Sequence, residues 1–340
     1  MSIRFDETEK RWILQTGRTT YQMQADKTGF LRHLYYGRNV GDADMGYRYR
    51  TCDRGFSGNP YDWQEDRGCS ADIMPQEYSC YGTGDYRPSA LMAEQENGSR
   101  DVSLLYDSFR IIPGKYALKG LPYVRGGEDS AETLQIILKD PAAGLAVTLS
   151  YGVFEEKDVI TRSACITNIS DAPVKITKAA SLCLDLPFGA WDVIHFSGKH
   201  CMERIPERVA LTQSKLVVES RRGMSSHHAN PFVILCDRNT TQDDGDCLGG
   251  MLMYSGSHKE EVERDQTGNT RLVMGIHPDG FSWLLNPGEQ FEAPETILSF
   301  SYSGLNGLSR QFHDLLRENV IPGRFMRRPR PILLNSWEAC

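Results

Sequence analysis

The sequence predicts an all-β fold, a large antiparallel β-sandwich with one helix near its C-terminal edge. Short runs of alternating side chains recur along the chain, turn residues separate them, and helical periodicity between them is almost absent. Strands that follow one another through turns pack as antiparallel sheets face to face, rather than as alternating strand and helix units. The length of 340 residues holds two average domains or one large all-β domain. With 40% hydrophobic and 24% charged residues, the chain can bury a sizeable core.

Arg11 to Gln15 and Thr20 to Gln24 alternate as half-buried strands do, and the first hundred residues read as sheet. Further strands are expected at Leu134 to Leu138, Leu145 to Leu149, Val159 to Asn168, Val174 to Leu186 and Leu216 to Glu219. Asp171-Ala172-Pro173 makes a turn between two of them, because proline and aspartate remove or divert a backbone donor. Asn286-Pro287-Gly288-Glu289 repeats the device before Thr296 to Phe300. The exception is a helix over 305–319, where Leu305, Leu308, Phe312, Leu315 and Leu316 recur at helical spacing until Pro322-Gly323 stops it. Beyond it the chain is basic, with Arg324, Arg327, Arg328 and Arg330 forming a solvated linker or a contact surface. Ile332-Leu333-Leu334 then has the apolar run of a strand buried on both faces. Such a strand needs partners, and the chain stops six residues later, so a cut domain junction is expected: one domain over 1–326, then 327–340 as linker and start of another.

Several function classes are disfavoured. Lys plus Arg number 38 against 45 Asp plus Glu, a net charge of −7 that repels phosphate backbones, so nucleic acid is not an expected partner. No stretch reaches the length of a membrane span and the first residues lack a signal-peptide pattern, which makes the cytoplasm the expected compartment and a membrane no partner. Nine cysteines, with no pair separated by two residues, form neither a disulfide framework nor a zinc knuckle and read as reduced thiols. No phosphate-binding glycine motif and no Gly-x-Ser-x-Gly elbow occurs; Gly223 to His228 is the nearest approach to a serine beside a base. His195, His200, Cys201, His227 and His228 either converge on a metal or are structural, and their spacing is not diagnostic. The pairs Glu155-Glu156, Glu260-Glu261 and Asp243-Asp244 stand beside turns and are expected at the surface. No cofactor, no metal and no intrinsic catalytic pair is expected.

The segment Thr51-Cys52-Asp53-Arg54-Gly55-Phe56-Ser57-Gly58-Asn59-Pro60 is polar yet aromatic, and Trp63, Arg67, Gln76-Glu77-Tyr78 and Gly82 to Arg87 continue it. Carboxylate, guanidinium and indole groups together suit a sugar, whose hydroxyls they pair and whose apolar face the ring covers. The same composition also suits a large capped loop whose charges satisfy each other.

In order, these residues resemble the N-terminal domain of glycoside hydrolase family 36, the bacterial α-galactosidases. The resemblance extends through Pro75-Gln76-Glu77-Tyr78, Gly84-Asp85-Tyr86-Arg87, Gly120-Leu121-Pro122, Val159 to Ser163, Ser220-Arg221-Arg222-Gly223, Ser225-Ser226-His227 and Asn230-Pro231. Arg330 to Ala339 is similar to the start of the family's (β/α)8 barrel, with Asn335-Ser336-Trp337-Glu338-Ala339 as the first-strand signature. The resemblance implies a β-supersandwich joined to the first strand of a truncated barrel. It also implies retaining hydrolysis of terminal α-galactose from melibiose- and raffinose-type oligosaccharides by two aspartates on later barrel strands, outside these residues. This chain alone is therefore expected to be inactive, with no catalytic residue of its own. Trp337 is expected to line the galactose pocket. The parent enzyme is implied to be a homo-oligomer, a tetramer, in which Asp53 and Arg67 reach a neighbouring subunit's pocket with Phe56 and Trp63 as its walls. The alternative is a free-standing sandwich-type carbohydrate-binding or scaffold module.

Overall fold

A computed structural model describes residues 2–49, 51–53, 68–187, 189–212 and 214–337. The chain begins as an antiparallel meander, β1 (Ile3–Asp6), β2 (Arg11–Gln15), β3 (Thr19–Ala25) and β4 (Leu31–Arg38). After β5 (Leu91–Gln95) come β6 (Leu105–Pro113), β7 (Glu132–Asp140), β8 (Leu145–Phe154), β9 (Val159–Asn168) and β10 (Val174–Leu186). Then follow β11 (Trp191–Lys199), β12 (Met202–Ala210), β13 (Lys215–Ser220), β14 (Ala229–Asp237) and β15 (Cys247–Met253). The last strands are β16 (His258–Arg264), β17 (Thr270–Ile276), β18 (Trp283–Leu285), β19 (Gln290–Glu292) and β20 (Glu295–Ser301).

A ten-stranded sheet runs β12-β11-β14-β15-β20-β9-β8-β7-β6, with β19 also on β9. A six-stranded sheet runs β13-β16-β17-β10-β18, with β5 also on β10. One continuous core fills the space between the sheets and under the meander, from Trp12 and Tyr21 through Leu134, Leu149 and Ile160 to Leu182, Leu272 and Leu298. β10 shows why the architecture was legible: Val174 to Lys178 alternates between buried and more exposed positions, and from Ala179 to Leu186 every residue is buried. The expected antiparallel sandwich is therefore the observed fold.

The helix α1 (Gly304–Leu315) continues through a π-helical turn, Leu316–Val320, one residue beyond each expected boundary, and Pro322 ends it. Its apolar face presents Leu308, Phe312 and Leu315 to the ten-stranded sheet. Gly249 in β15 makes this approach possible, since a β-carbon there would lie 2.6 Å from the Phe312 ring. A short helix, α2 (Gly323–Met326), begins the stretch expected as linker.

Three expectations are corrected. Among the described residues between Arg38 and Leu91 there is no strand, only a bridge from Cys80 to Leu91, so the first hundred residues are not uniformly sheet. Ile332, Leu333 and Leu334 form no strand and are fully exposed, because no described residue pairs or covers them. Glu260 and Glu261 are buried within β16, not at the surface, because each has found a cationic or imidazole partner.

Candidate functional site

Of the residues singled out for sugar contact, Phe56, Trp63 and Arg67 lie outside the described residues. Asp53 is exposed at the end of the described stretch that precedes them. Trp337 is also exposed, its backbone N–H donating to Asn335 Oδ1 at 2.9 Å. Neither Asp53 nor Trp337 lines any of the hollows described below.

What the described residues do show is how both flanks of residues 50–67 are fixed. Asp185, at the inner end of β10, holds each of them. Its carbonyl accepts the Tyr49 hydroxyl at 2.7 Å on one side, and its Oδ2 accepts the Gln76 N–H at 2.8 Å on the other. Asp185 in turn accepts two parallel hydrogen bonds from Arg271 of β17. Arg271 Nη1 reaches Asp85 at 2.7 Å, and Asp85 also accepts from Arg87 Nε, Gln76 Nε2 and Ser79 Oγ. Arg87 donates onward to the carbonyls of Ala71 and Met74. Burial alone would raise the carboxyl pKa of Asp85 and of Asp185, but the guanidinium groups of Arg271 and Arg87 outweigh it and hold both below the usual range. Two aspartates and two arginines thus form one buried network, extended by Arg87 to Asp265 at 3.5 Å, that ties residues 71–89 to β10 and β17.

A second cluster lies deeper. Glu77 is fully buried and accepts from the hydroxyls of Tyr21 (2.8 Å) and Tyr151 (2.7 Å), and His33 Nδ1 lies 2.7 Å away. Arg162 of β9 stands 2.9 Å from the Glu77 carboxylate, donates to the Cys183 carbonyl, and also reaches the Glu77 carbonyl. Burial pushes the Glu77 carboxyl up, but the charge of Arg162 and the hydrogen bonds of His33 and Tyr151 bring it below its ordinary value. Burial beside that carboxylate raises both tyrosines well above theirs.

Gln76, Glu77, Asp85 and Arg87, read in the sequence as part of a sugar-binding or self-satisfied segment, are therefore anchors whose polar groups are satisfied within the fold, with Arg162, which entered the sequence reading only through the family resemblance, as the partner of Glu77. Tyr21, His33, Tyr151, Asp185 and Arg271 complete the anchors. The sequence carried no sign of them, because each sits in an ordinary strand and its partner is remote along the chain.

The histidine and cysteine candidates do not converge. His200, Cys201, His227 and His228 are exposed, and His195 faces Glu207 at 3.8 Å. Among the described residues no three His, Cys, Asp or Glu side chains are placed to hold a metal ion. Glu155-Glu156 and Asp243-Asp244 are exposed. One hollow, of about 820 Å3, is an apolar groove between α1 and the β11–β14–β15 face, walled by Phe196, Phe232, Leu305 and Phe312. A second, about 390 Å3, is acidic, with Glu128, Asp129, Glu132, Glu155 and Glu156. A third, about 340 Å3, opens beside the Asp85–Arg87 network. No described helix is long and apolar enough to cross a membrane.

Comparison with known proteins places the site in context. Residues 29–286 match the family model described as glycosyl hydrolase family 36 N-terminal domain, and residues 290–340 match the melibiase model. The chain is 47% identical over its whole length to the bifunctional α-galactosidase/sucrose kinase AgaSK of Mediterraneibacter gnavus, of which it covers 36%. It is 42% identical, again over its whole length, to the α-galactosidase AgaA of Geobacillus stearothermophilus, of which it covers 46%. The chain thus spans less than half the length of these relatives. Among solved structures, the galactosidase domain of AgaSK superposes with a TM-score of 0.96 at 47% identity, covering 99% of this chain and 47% of that one. A variant of AgaA in complex with raffinose superposes at 0.94 with 42% identity, covering 97% of this chain and 46% of that one.

Proposed function

The chain belongs to glycosyl hydrolase family 36, and from that premise we propose that it is the N-terminal, substrate-shaping and oligomer-forming domain of a retaining α-galactosidase. Its substrates are terminal α-galactosyl residues of melibiose- and raffinose-type oligosaccharides. The reaction uses two carboxylates, one to attack the anomeric carbon and one to protonate the leaving oxygen and then activate water. Among the described residues near the candidate segment, the buried carboxylates of Asp85, Asp185 and Glu77 are committed to Arg87, Arg271 and Arg162. On this reading the 340 residues help to shape a sugar site and do not by themselves cleave the substrate.

The observation that carries this reading is the double tether at Asp185, which fixes the chain just before and just after the segment with Asp53, Phe56, Trp63 and Arg67. Binding through a segment with fixed flanks costs less ordering entropy, so a sugar hydroxyl meeting Asp53 gains more net free energy. In the assembled enzyme that segment closes a neighbouring subunit's pocket, while Trp337 lines the pocket of its own subunit. Support for the substrate class comes from the relatives: AgaA variants have been solved with raffinose and with stachyose. Incubating the purified 340-residue chain with an aryl α-galactoside tests the division of labour. No release of the aryl group is expected, and turnover above the buffer blank would overturn it.

A further inference from the structure

The outer face of the ten-stranded sheet is only partly covered. Along β14 the residues Pro231-Phe232-Val233-Ile234-Leu235-Cys236 are apolar without interruption, the pattern of a strand buried on both faces. Val233 and Leu235 enter the main core, whereas Phe232 and Ile234 point to the other side, toward α1. There α1 supplies cover through Phe312, whose ring meets Phe232 edge-on at 5.2 Å. Phe232 in turn stacks on Phe196 of β11 at 5.6 Å, and beyond these rings the cover ends. Phe196, Phe232 and Met251 of β15 are left half-buried on the floor of the 820 Å3 groove. A contiguous apolar face left open to water marks an interaction surface.

Charge narrows the partner. The far wall of the groove is β12, which is exposed along its whole length. Among the described residues the groove carries Arg204, Arg208 and His313 and no Asp or Glu, although acidic residues outnumber basic ones in the chain. Arg208 is spent on Asp192 and on the carbonyls of Asp237, Arg238 and Thr240. The Arg204 guanidinium has no ion pair or hydrogen bond among the described residues. The complementary surface is therefore apolar at its centre, with a carboxylate at its edge.

The two walls belong to different parts of the family. α1 lies within residues 290–340, which match the melibiase model, whereas Phe196, Phe232 and Met251 lie within residues 29–286, which match the N-terminal domain model. The groove is thus the seam between the two matches. More than half of each relative lies outside the matched region, since this chain covers 36% of AgaSK and 46% of AgaA. We propose that the groove seats the catalytic barrel of the parent enzyme, with an apolar side chain of the barrel between Phe196, Phe232 and Leu305 and a carboxylate on Arg204. With α1 held between sandwich and barrel, the joint also fixes the direction in which the chain leaves for Trp337. The inference rests on the reading of this chain as the first domain of a longer galactosidase.

Hydroxyl-radical footprinting, read by peptide mass spectrometry, compares the free 340-residue chain with the same chain joined to the remainder of AgaA. Phe196, Phe232 and Met251 are expected to be labelled in the free chain. In the joined protein their labelling is expected to fall roughly fivefold or more as water is excluded, while Trp283, exposed on the six-stranded sheet, keeps its rate. Arg204→Glu changes an exposed side chain, so the urea midpoint of the free chain stays at the wild-type value, and groove labelling in the joined protein rises toward the free-chain rate. Equal labelling of the free and joined proteins would overturn the inference. So would protection in the free chain that grows with its concentration, which assigns the groove to a second copy. Raffinose hydrolysis by the joined protein separates the two readings: activity with an open groove overturns the joint and leaves the galactosidase reading standing, and a closed groove without activity does the reverse. A second measurement needs only the free chain. Anilinonaphthalene sulfonate, an aromatic anion, is expected to bind in the open groove, with its Kd raised roughly tenfold by Arg204→Glu. No binding, or binding indifferent to Arg204→Glu, would overturn the apolar and cationic character on which the joint depends.

Discussion

Asp185 and Arg271 meet through two parallel hydrogen bonds of 2.7 Å, with each side chain only 1% accessible. Bidentate geometry is the strongest form of such a pair, and Arg271 spends its remaining Nη1 on Asp85. Each group removed from this buried set strands another charge away from water. Arg271→Met is therefore expected to cost about 3–5 kcal/mol, as breaking a buried pair does. Urea unfolding measures it. The double change Arg271→Met with Asp185→Asn is expected to recover part of the loss, since it removes one of the stranded charges.

Glu77 and Arg162 make the same case in the deeper cluster, where both side chains are fully inaccessible. Arg162→Met leaves a buried carboxylate with only His33 and two phenols, so a loss of similar size is expected. Because Glu77, Asp85 and Asp185 all have lowered folded pKa values, their contribution is present above the unfolded carboxylate range near pH 4. It is lost as pH falls through the lowered values. Acid unfolding followed by circular dichroism should become less steep in Asp185→Asn.

Glu260 has the opposite sign. Burial pushes its carboxyl up to about 7 despite the hydrogen bond to His258 Nδ1 at 2.9 Å. The folded protein holds this proton while the unfolded chain releases it near pH 4.3, roughly the ordinary glutamate value, so stability falls as pH rises from there toward 7. Glu260→Gln removes that penalty. The variant's stability advantage over the wild type is expected to grow between about pH 4 and 7 and then level off at on the order of 3 to 4 kcal/mol. Urea midpoints across the pH range test this, and a constant difference would contradict it.

Much of the sandwich was legible because β9 and β10 bury nearly continuous runs that only strands inside a two-layer sheet can satisfy. α1 was legible from its leucine spacing, and even its limits shifted by only one residue. The residues 71–89 were not, because their backbone and side-chain groups are satisfied by Asp185, Arg162 and Arg271, which are far away in sequence. Glu260 and Glu261 were misplaced for the same reason: a pair of acidic residues reads as surface unless the buried His258 and Lys178 beside them are known. Of the expected sugar contacts, only Asp53 and Trp337 fall within the described residues.

The close contact of α1 with β15 depends on Gly249. Gly249→Ala would place a methyl group 2.6 Å from the Phe312 ring, and a loss of about 1–3 kcal/mol is expected from the overpacking. Phe312→Leu in the same chain should relieve part of it, which a double-mutant cycle by urea unfolding can read.

Thiol chemistry separates surface from core. Cys52 and Cys201 are exposed, whereas Cys80, Cys183, Cys236 and Cys247 are buried. Burial pushes the thiol of Cys247 up to about 12 and that of Cys236 up to about 11. At pH 8 an aromatic disulfide reagent is expected to modify Cys52 and Cys201 quickly, and these buried four only on unfolding. Peptide mapping of the modified cysteines after timed quenching checks the order.

The central claim is that this domain shapes a galactoside pocket through Asp53. The direct measurement grafts the chain onto the remainder of AgaA, its 42% identical relative, and compares raffinose hydrolysis with and without Asp53→Ala. A KM raised roughly tenfold or more by Asp53→Ala, in a chimera of unchanged thermal stability, is the predicted result. A KM and kcat indifferent to Asp53→Ala would contradict it.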